Sequence, residues 1–240
     1  MHAHQGTASP HRDAPLPVAV LISGSGSNLQ ALIDGQLSGR LPIAIRVVVS
    51  NRADAFGLTR AERAGIPSQV LSHKGFSTRE AYDAELAMLL DAYAPGLVVL
   101  AGFMRILSVG FVARYQGRMF NIHPSLLPKF PGLHTHQRAL DAGEKLHGAT
   151  VHFVTDELDG GPAVLQARVP VLADDDAQSL AARVLVKEHL IYPLAVRWFA
   201  DDRLRLGPDG RPRLDERLLI EPVQLDEVSE SGNADGGSRR

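Results

Sequence analysis

Asn121 and His123 stand two residues apart in RMFNIHPSLLPKFPGLHTH, residues 118–136. In a strand the side chains alternate faces, so these two share one face and Ile122 takes the other. An amide donates hydrogen bonds without carrying charge. An imidazole donates as a cation or moves a proton near neutral pH. Placed together at the carboxyl end of a strand, they suit the stabilisation of an oxyanion. Taken alone, a His beside a Pro reads first as a satisfied structural residue. The three prolines that follow predict a long irregular loop, and loops of that length are seldom idle.

Two further segments carry chemistry. In LISGSGSNLQ, Gly24 and Gly26 allow a sharp turn that exposes backbone N–H groups at the start of a helix, where anions are favoured. Ser25, Ser27 and Asn28 add side-chain donors. The dinucleotide fingerprint GxGxxG fails because Leu29 occupies its third glycine position, and no Gly-Lys-Ser/Thr follows to make a P-loop. The loop therefore reads as a monophosphate site, or simply as a tight strand-to-helix turn. VTDELDGGP, residues 154–162, sets Asp156, Glu157 and Asp159 before two glycines. Such a turn is a solvated loop or a divalent-metal site. A carboxylate brought within about 4–6 Å of His123 would instead hold that ring as imidazolium. His134 and His136 have the spacing of a possible metal pair, but no HExxH or similar zinc pattern is present and no metal is expected.

The surrounding pattern supplies elements that can position these groups. Strands are expected at Val18–Ile22, Ile43–Val49, Pro67–Leu71, Leu97–Ala101 and Met119–Ile122. Helices are expected at Asn28–Leu37, Asp54–Ala64 with Asp54 as a possible cap, Thr78–Tyr93 with a Ser77/Thr78 cap region and Glu80 three after Ser77 as a capping box requires, and Ile106–Tyr115. Ala149–Thr155 and Val164–Val171 alternate, which predicts antiparallel strands late in the sheet. Ala177–Phe199 is a long helix, and a polar hairpin follows Arg203. Strand and helix alternate about five times, the signature of an open, mostly parallel α/β sheet with helices on both faces. Ligands then collect at the carboxyl ends of its strands. The expected organisation is one domain over 16–222, between a disordered extension at 1–15 and a disordered tail at 223–240.

Composition narrows the function. A formal charge of −2 over 240 residues provides no field for nucleic acid or an anionic membrane. Without cysteine, disulfides, thiolate nucleophiles and cysteine-ligated zinc are excluded. The N-terminal stretch lacks the apolar core of a secretory signal, and no apolar run approaches a membrane span. A cytoplasmic protein acting on small molecules, as monomer or homodimer, is expected.

Several segments together resemble a known family. VLISGSGSNLQALID, SNRADAFGL, LAGFMRIL, NIHPSLLPKFPGLHTH and HFVTDELDGGP are similar to the phosphoribosylglycinamide formyltransferases, over about residues 18–202. The pairing of NIHPSLLP with DELDGG is shared by folate-dependent formyltransferases generally; GFMRIL and the glycine loop narrow it. The resemblance implies a Rossmann-like formyltransferase fold and formyl transfer from 10-formyltetrahydrofolate, as co-substrate, to the glycinamide amine without a metal. It implies Asn121, His123 and Asp159 as the catalytic trio. It also implies Gly26, Ser27, Asn28 and Glu188 as substrate-binding residues. A folate site is implied at Arg79, at Met104, Arg105, Ile106 and Leu107, at Asn121, and at Thr155, Asp156, Glu157, Leu158 and Asp159. Ser25 stands where some members carry Asn. The related hydrolases would add an N-terminal regulatory domain, and the methionyl-tRNA formyltransferases a C-terminal β-domain and a basic surface. Neither expectation suits this length and charge. An NAD-dependent dehydrogenase is disfavoured by Leu29 and by Ser50-Asn51-Arg52 where an acidic residue would end the second strand.

Overall fold

The computed structural model describes residues 14–231. The expectations for the rest of the N-terminal extension and for the end of the tail lie outside the described residues. β1 (Leu16–Ile22), β2 (Ile43–Ser50) and β4 (Leu97–Leu100) are apolar runs without polar alternation. Such strands need cover on both faces. Along β1, Val18, Val20 and Ile22 pack on one side with Leu29 and Leu32 of α1 (Ser27–Leu37) and Leu180, Val184 and Ile191 of α6 (Ala177–Ala200). Ala19 and Leu21 pack on the other with Tyr82 and Leu86 of α3 (Arg79–Asp91) and Phe111 of α4 (Val109–Arg114). The two-residue alternation thus sorts one strand into two cores.

The main sheet has eight strands in the order β11-β7-β6-β5-β4-β1-β2-β3. β3 is Ser68–Val70, β5 Met119–His123, β6 Leu146–Phe153, β7 Ala163–Pro170 and β11 Val223–Gln224. β3, β2, β1, β4 and β5 run parallel; β6 is antiparallel to β5 and to β7. Strand order reverses at β1, between β2 and β4, so the crevice outside the carboxyl ends of β1 and β4 is a topological switch point. The glycine loop leaves β1 there. Tyr192 of α6 is fully buried, and its hydroxyl lies 2.9 Å from the Leu100 carbonyl and 3.1 Å from that of Phe120, tying the ends of β4 and β5 beneath the crevice.

Several elements differ from expectation. α2 spans Phe56–Arg63 and starts at Ala55 without a side-chain cap; Asp54 instead pairs with Arg52. Thr78, not Ser77, caps α3 by accepting from Ala81 N–H. α4 begins only at Val109, because Ser108 caps it and the Ser108 N–H donates to buried Asp83, 2.5 Å away, leaving 106–108 irregular. α5 (Thr135–Asp141) follows the proline loop and was not expected. The polar piece after Arg203 forms a small separate sheet of β8 (Leu204–Leu206), β9 (Pro212–Leu214) and β10 (Arg217–Leu218).

The tail does not begin at 223. β11 pairs in parallel with β7, and α7 (Leu225–Ser231) follows it. The physical reason is apolar burial: Val223, Leu225 and Val228 pack on the larger core, and the strand covers an otherwise open sheet edge.

Candidate active site

β5 delivers Asn121 and His123 to one face while Ile122 enters the larger core. The third group arrives from the loop after β6. Asp159 has φ 52°, a left-handed conformation uncommon outside glycine. Gly161 explains the turn: a Cβ there would stand 1.9 Å from the Phe153 carbonyl, so only glycine lets the loop double back so closely across the end of β6. The return brings Asp159 Oδ2 to 3.3 Å from His123 Nδ1, with both side chains over nine-tenths buried. The Gly132 N–H donates to the same oxygen at 2.9 Å. His123 Nε2 lies 2.9 Å from the Phe130 carbonyl. Both ring nitrogens therefore face oxygen acceptors, and only a ring with both protons, the imidazolium, satisfies both.

His152, on β6 opposite Asn121, is a site residue that sequence reasoning missed. Its Nδ1 lies 2.9 Å from the Phe153 carbonyl, so Nδ1 carries a proton. Burial holds its pKa below the ordinary histidine value, which leaves the ring neutral and Nε2 an acceptor. Asn121 Nδ2 donates to that Nε2 at 3.1 Å, and this fixes which way the amide faces. The second Nδ2 proton points at Asp159 Oδ1, 3.4 Å away. The 3.7 Å approach of His152 to Asp159 is thus a contact with a neutral ring, not an ion pair. Alternation along Ala149–Thr155 was the available signal, but a polar residue on a buried strand carries no label for its partner.

The proline loop needs little regular hydrogen bonding because side chains satisfy it. Thr150 Oγ1 donates to Ser125 O and accepts from Leu127 N–H, Gln166 donates to Leu127 O, and Thr135 donates to Pro124 O. Gln224 of β11 in turn donates to Gln166 Oε1 at 3.3 Å, so the last strand helps orient a residue that holds this loop.

The glycine loop closes onto α6. Gly26 precedes α1 with φ 68°, and Asn28, buried, donates from Nδ2 to Glu188 Oε2 at 2.7 Å. Residues expected to share a substrate, 160 positions apart, therefore meet. Among the described residues Asn28 Oδ1 is buried without a hydrogen-bond partner, next to the Glu188 carboxylate. Burial pushes the Glu188 carboxyl above its usual value, partly opposed by the Asn28 bond. A raised folded-state pKa means that the stability linked to Glu188 is complete below the unfolded value of about 4.3 and is lost as pH rises through the folded one. Glu188→Gln should accordingly raise unfolding free energy at pH 7, with the difference fading below about pH 4. Chemical denaturation at both pH values checks it; equal effects at both would remove ionisation as the cause.

Of the expected folate residues, Arg105, Ile106, Leu107, Asn121 and Thr155 through Asp159 line one cavity beside the trio. Leu100, Phe103, Val112, Val154 and His152 complete it, and sequence reasoning gave none of them a folate role. Arg105 packs over the Tyr82 ring, 4.5 Å from its centroid. Ser23 fixes the rim by donating to Asn51 and accepting from the Met104 N–H. The Met104 side chain itself is exposed, and Arg79 is half-exposed beside Glu80 at the start of α3; neither lines the cavity.

A strand-end amide and imidazole thus meet a buried carboxylate beside a cavity walled by the β4 loop, on an open α/β sheet. The formyl transferase family profile matches residues 16–196, and the chain belongs to that family. It is 59% identical over 210 residues to a phosphoribosylglycinamide formyltransferase of Escherichia coli strain K12, covering 88% of this chain and 99% of that protein. Identity to the Haemophilus influenzae protein of the same name is 49% over 202 residues, 84% of this chain and 95% of that one. Among solved structures, the phosphoribosylglycinamide formyltransferase of Coxiella burnetii superposes with a TM-score of 0.83 at 50% identity, covering 88% of this chain and 99% of that one.

Proposed function

We propose that this chain transfers the formyl group of 10-formyltetrahydrofolate to the amine of 5-phosphoribosylglycinamide, a step of de novo purine synthesis. The observation that carries the reading is the meeting of Asn121, His123 and Asp159 in one buried cluster, in a chain of this family and with these relatives. The phosphate of the acceptor sits at the loop of Gly26, Ser27 and Asn28, and Glu188 accepts from donors of the same substrate. The folate lies against Phe103, Ile106, Leu107 and Val112, with polar groups of residues 155–159 at its edge.

The amine nitrogen attacks the formyl carbon, and the carbonyl π pair moves onto oxygen. The developing oxyanion accepts a hydrogen bond from the Asn121 Nδ2–H that otherwise points along a 3.4 Å path to Asp159 Oδ1. His123, held cationic by Asp159, lies beside it and stabilises the same charge. Collapse breaks the bond to the folate nitrogen, which takes up the proton lost by the amine through a group or water at Asp159. The products are the formylated glycinamide and tetrahydrofolate. Both substrates are soluble metabolites, so we assign the protein to the cytoplasm; among the described residues no helix is long and apolar enough to cross a membrane.

A steady-state assay with both substrates, and water as the control acceptor, tests the reading. Folate product should form only when the amine is present. An equal rate with water alone would make the protein a hydrolase.

A further inference from the structure

The first turns of α2 grip the glycine loop. The Gly57 N–H donates to the Gly24 carbonyl at 3.1 Å. Arg60 Nε donates to the next carbonyl, Ser25 O, at 2.9 Å. Arg60 Nη1 donates to Gln30 Oε1 of α1 at 3.0 Å, and its guanidinium carbon lies 5.0 Å from the centroid of the Phe56 ring. Gln30 is itself held by Asp34 at 2.8 Å. The packing admits no slack: a Cβ on Gly26 would stand 2.5 Å from Gly57 Cα.

A trans peptide is planar, with its C=O and N–H opposed. When α2 draws the carbonyls of residues 24 and 25 toward itself, the N–H groups of Ser25 and Gly26 turn to the opposite side. With the left-handed Gly26 and the free first N–H groups of α1, they form a concave set of donors of the kind that receives an anion. We propose that Arg60 is a positioning residue for phosphate recognition: it acts through the Ser25 carbonyl to aim backbone donors at the acceptor's phosphate. A loop with two glycines has many conformations, and only the anchored one presents adjacent amides together. The inference rests on the reading of this loop as the phosphate site.

The test compares kcat/KM for the phosphorylated acceptor with that for the same acceptor lacking its phosphate, in the parent and in Arg60→Ala. The parent should strongly prefer the phosphorylated form. Arg60→Ala should cut that preference by roughly tenfold or more, through KM of the phosphorylated acceptor and with kcat largely kept. KM for the folate, read in the same assay, should stay within about twofold and so reports an intact fold. The loss should persist at raised ionic strength, because aimed amides depend on geometry, whereas a through-space charge is screened. If Arg60→Ala does not fold, Arg60→Lys serves: one ammonium cannot hold both Ser25 O and Gln30 in the planar fork, so a smaller loss in the same direction is expected. A parent that shows no preference for the phosphate overturns the phosphate-site reading itself. A parent that prefers phosphate while Arg60→Ala or Arg60→Lys keeps the full preference overturns only the positioning role, as does a loss that vanishes in high salt.

Discussion

His123→Ala lowers turnover by roughly 10²-fold or more while KM for the phosphorylated acceptor stays within about twofold. The split follows from distance along the chain and from role. In the proposed reading the acceptor's phosphate is bound by the loop after β1, next to the Asn28–Glu188 pair, whereas His123 sits at the end of β5, paired with Asp159, and acts on the oxyanion. Removing the ring takes away a group whose interaction grows as the oxyanion forms, so the loss appears in kcat. The surrounding fold should tolerate the change, because the Gly132 N–H still satisfies Asp159. Near-normal turnover would remove His123 from the mechanism.

Asp159→Asn costs turnover on a similar scale, roughly 10²-fold, although the side chain keeps its shape. The carboxylate is acceptor-only and faces three donors: His123 Nδ1, Asn121 Nδ2 and the Gly132 N–H. An amide in its place must turn an NH₂ group toward one of them, which breaks the cluster as well as its charge. Steady-state turnover of the parent and of Asp159→Asn checks this, and near-normal turnover in the variant would argue that the carboxylate does not hold the cluster.

The parallel half of the fold was legible because continuous apolar runs bounded by glycine turns leave few alternatives; β1, β2 and β4 lie within two residues of their expected ends. Short elements were not. α5 lies directly behind a proline loop and has seven residues, too few for periodicity to register. The start of α4 depends on Asp83, 25 positions away, taking the Ser108 N–H. β11 is two residues long and exists because β7 offers it an edge. In the site, alternation placed Asn121 and His123 on one face, and resemblance supplied Asp159. What neither shows is the tautomer of His152, which emerges from its Phe153 bond and decides how the Asn121 amide faces. Arg60 is similarly silent in sequence: an arginine on an amphipathic helix reads as a solvated face until its Ser25 contact is seen.

The most direct measurement is a double-mutant cycle in turnover across His123→Ala and Asp159→Asn. If the imidazolium and the carboxylate act as one unit, the doubly substituted enzyme is about as slow as the slower single variant, because the second change removes nothing that still works. If the two losses multiply instead, each group contributes on its own and the ion pair at the end of β5 is not what drives formyl transfer.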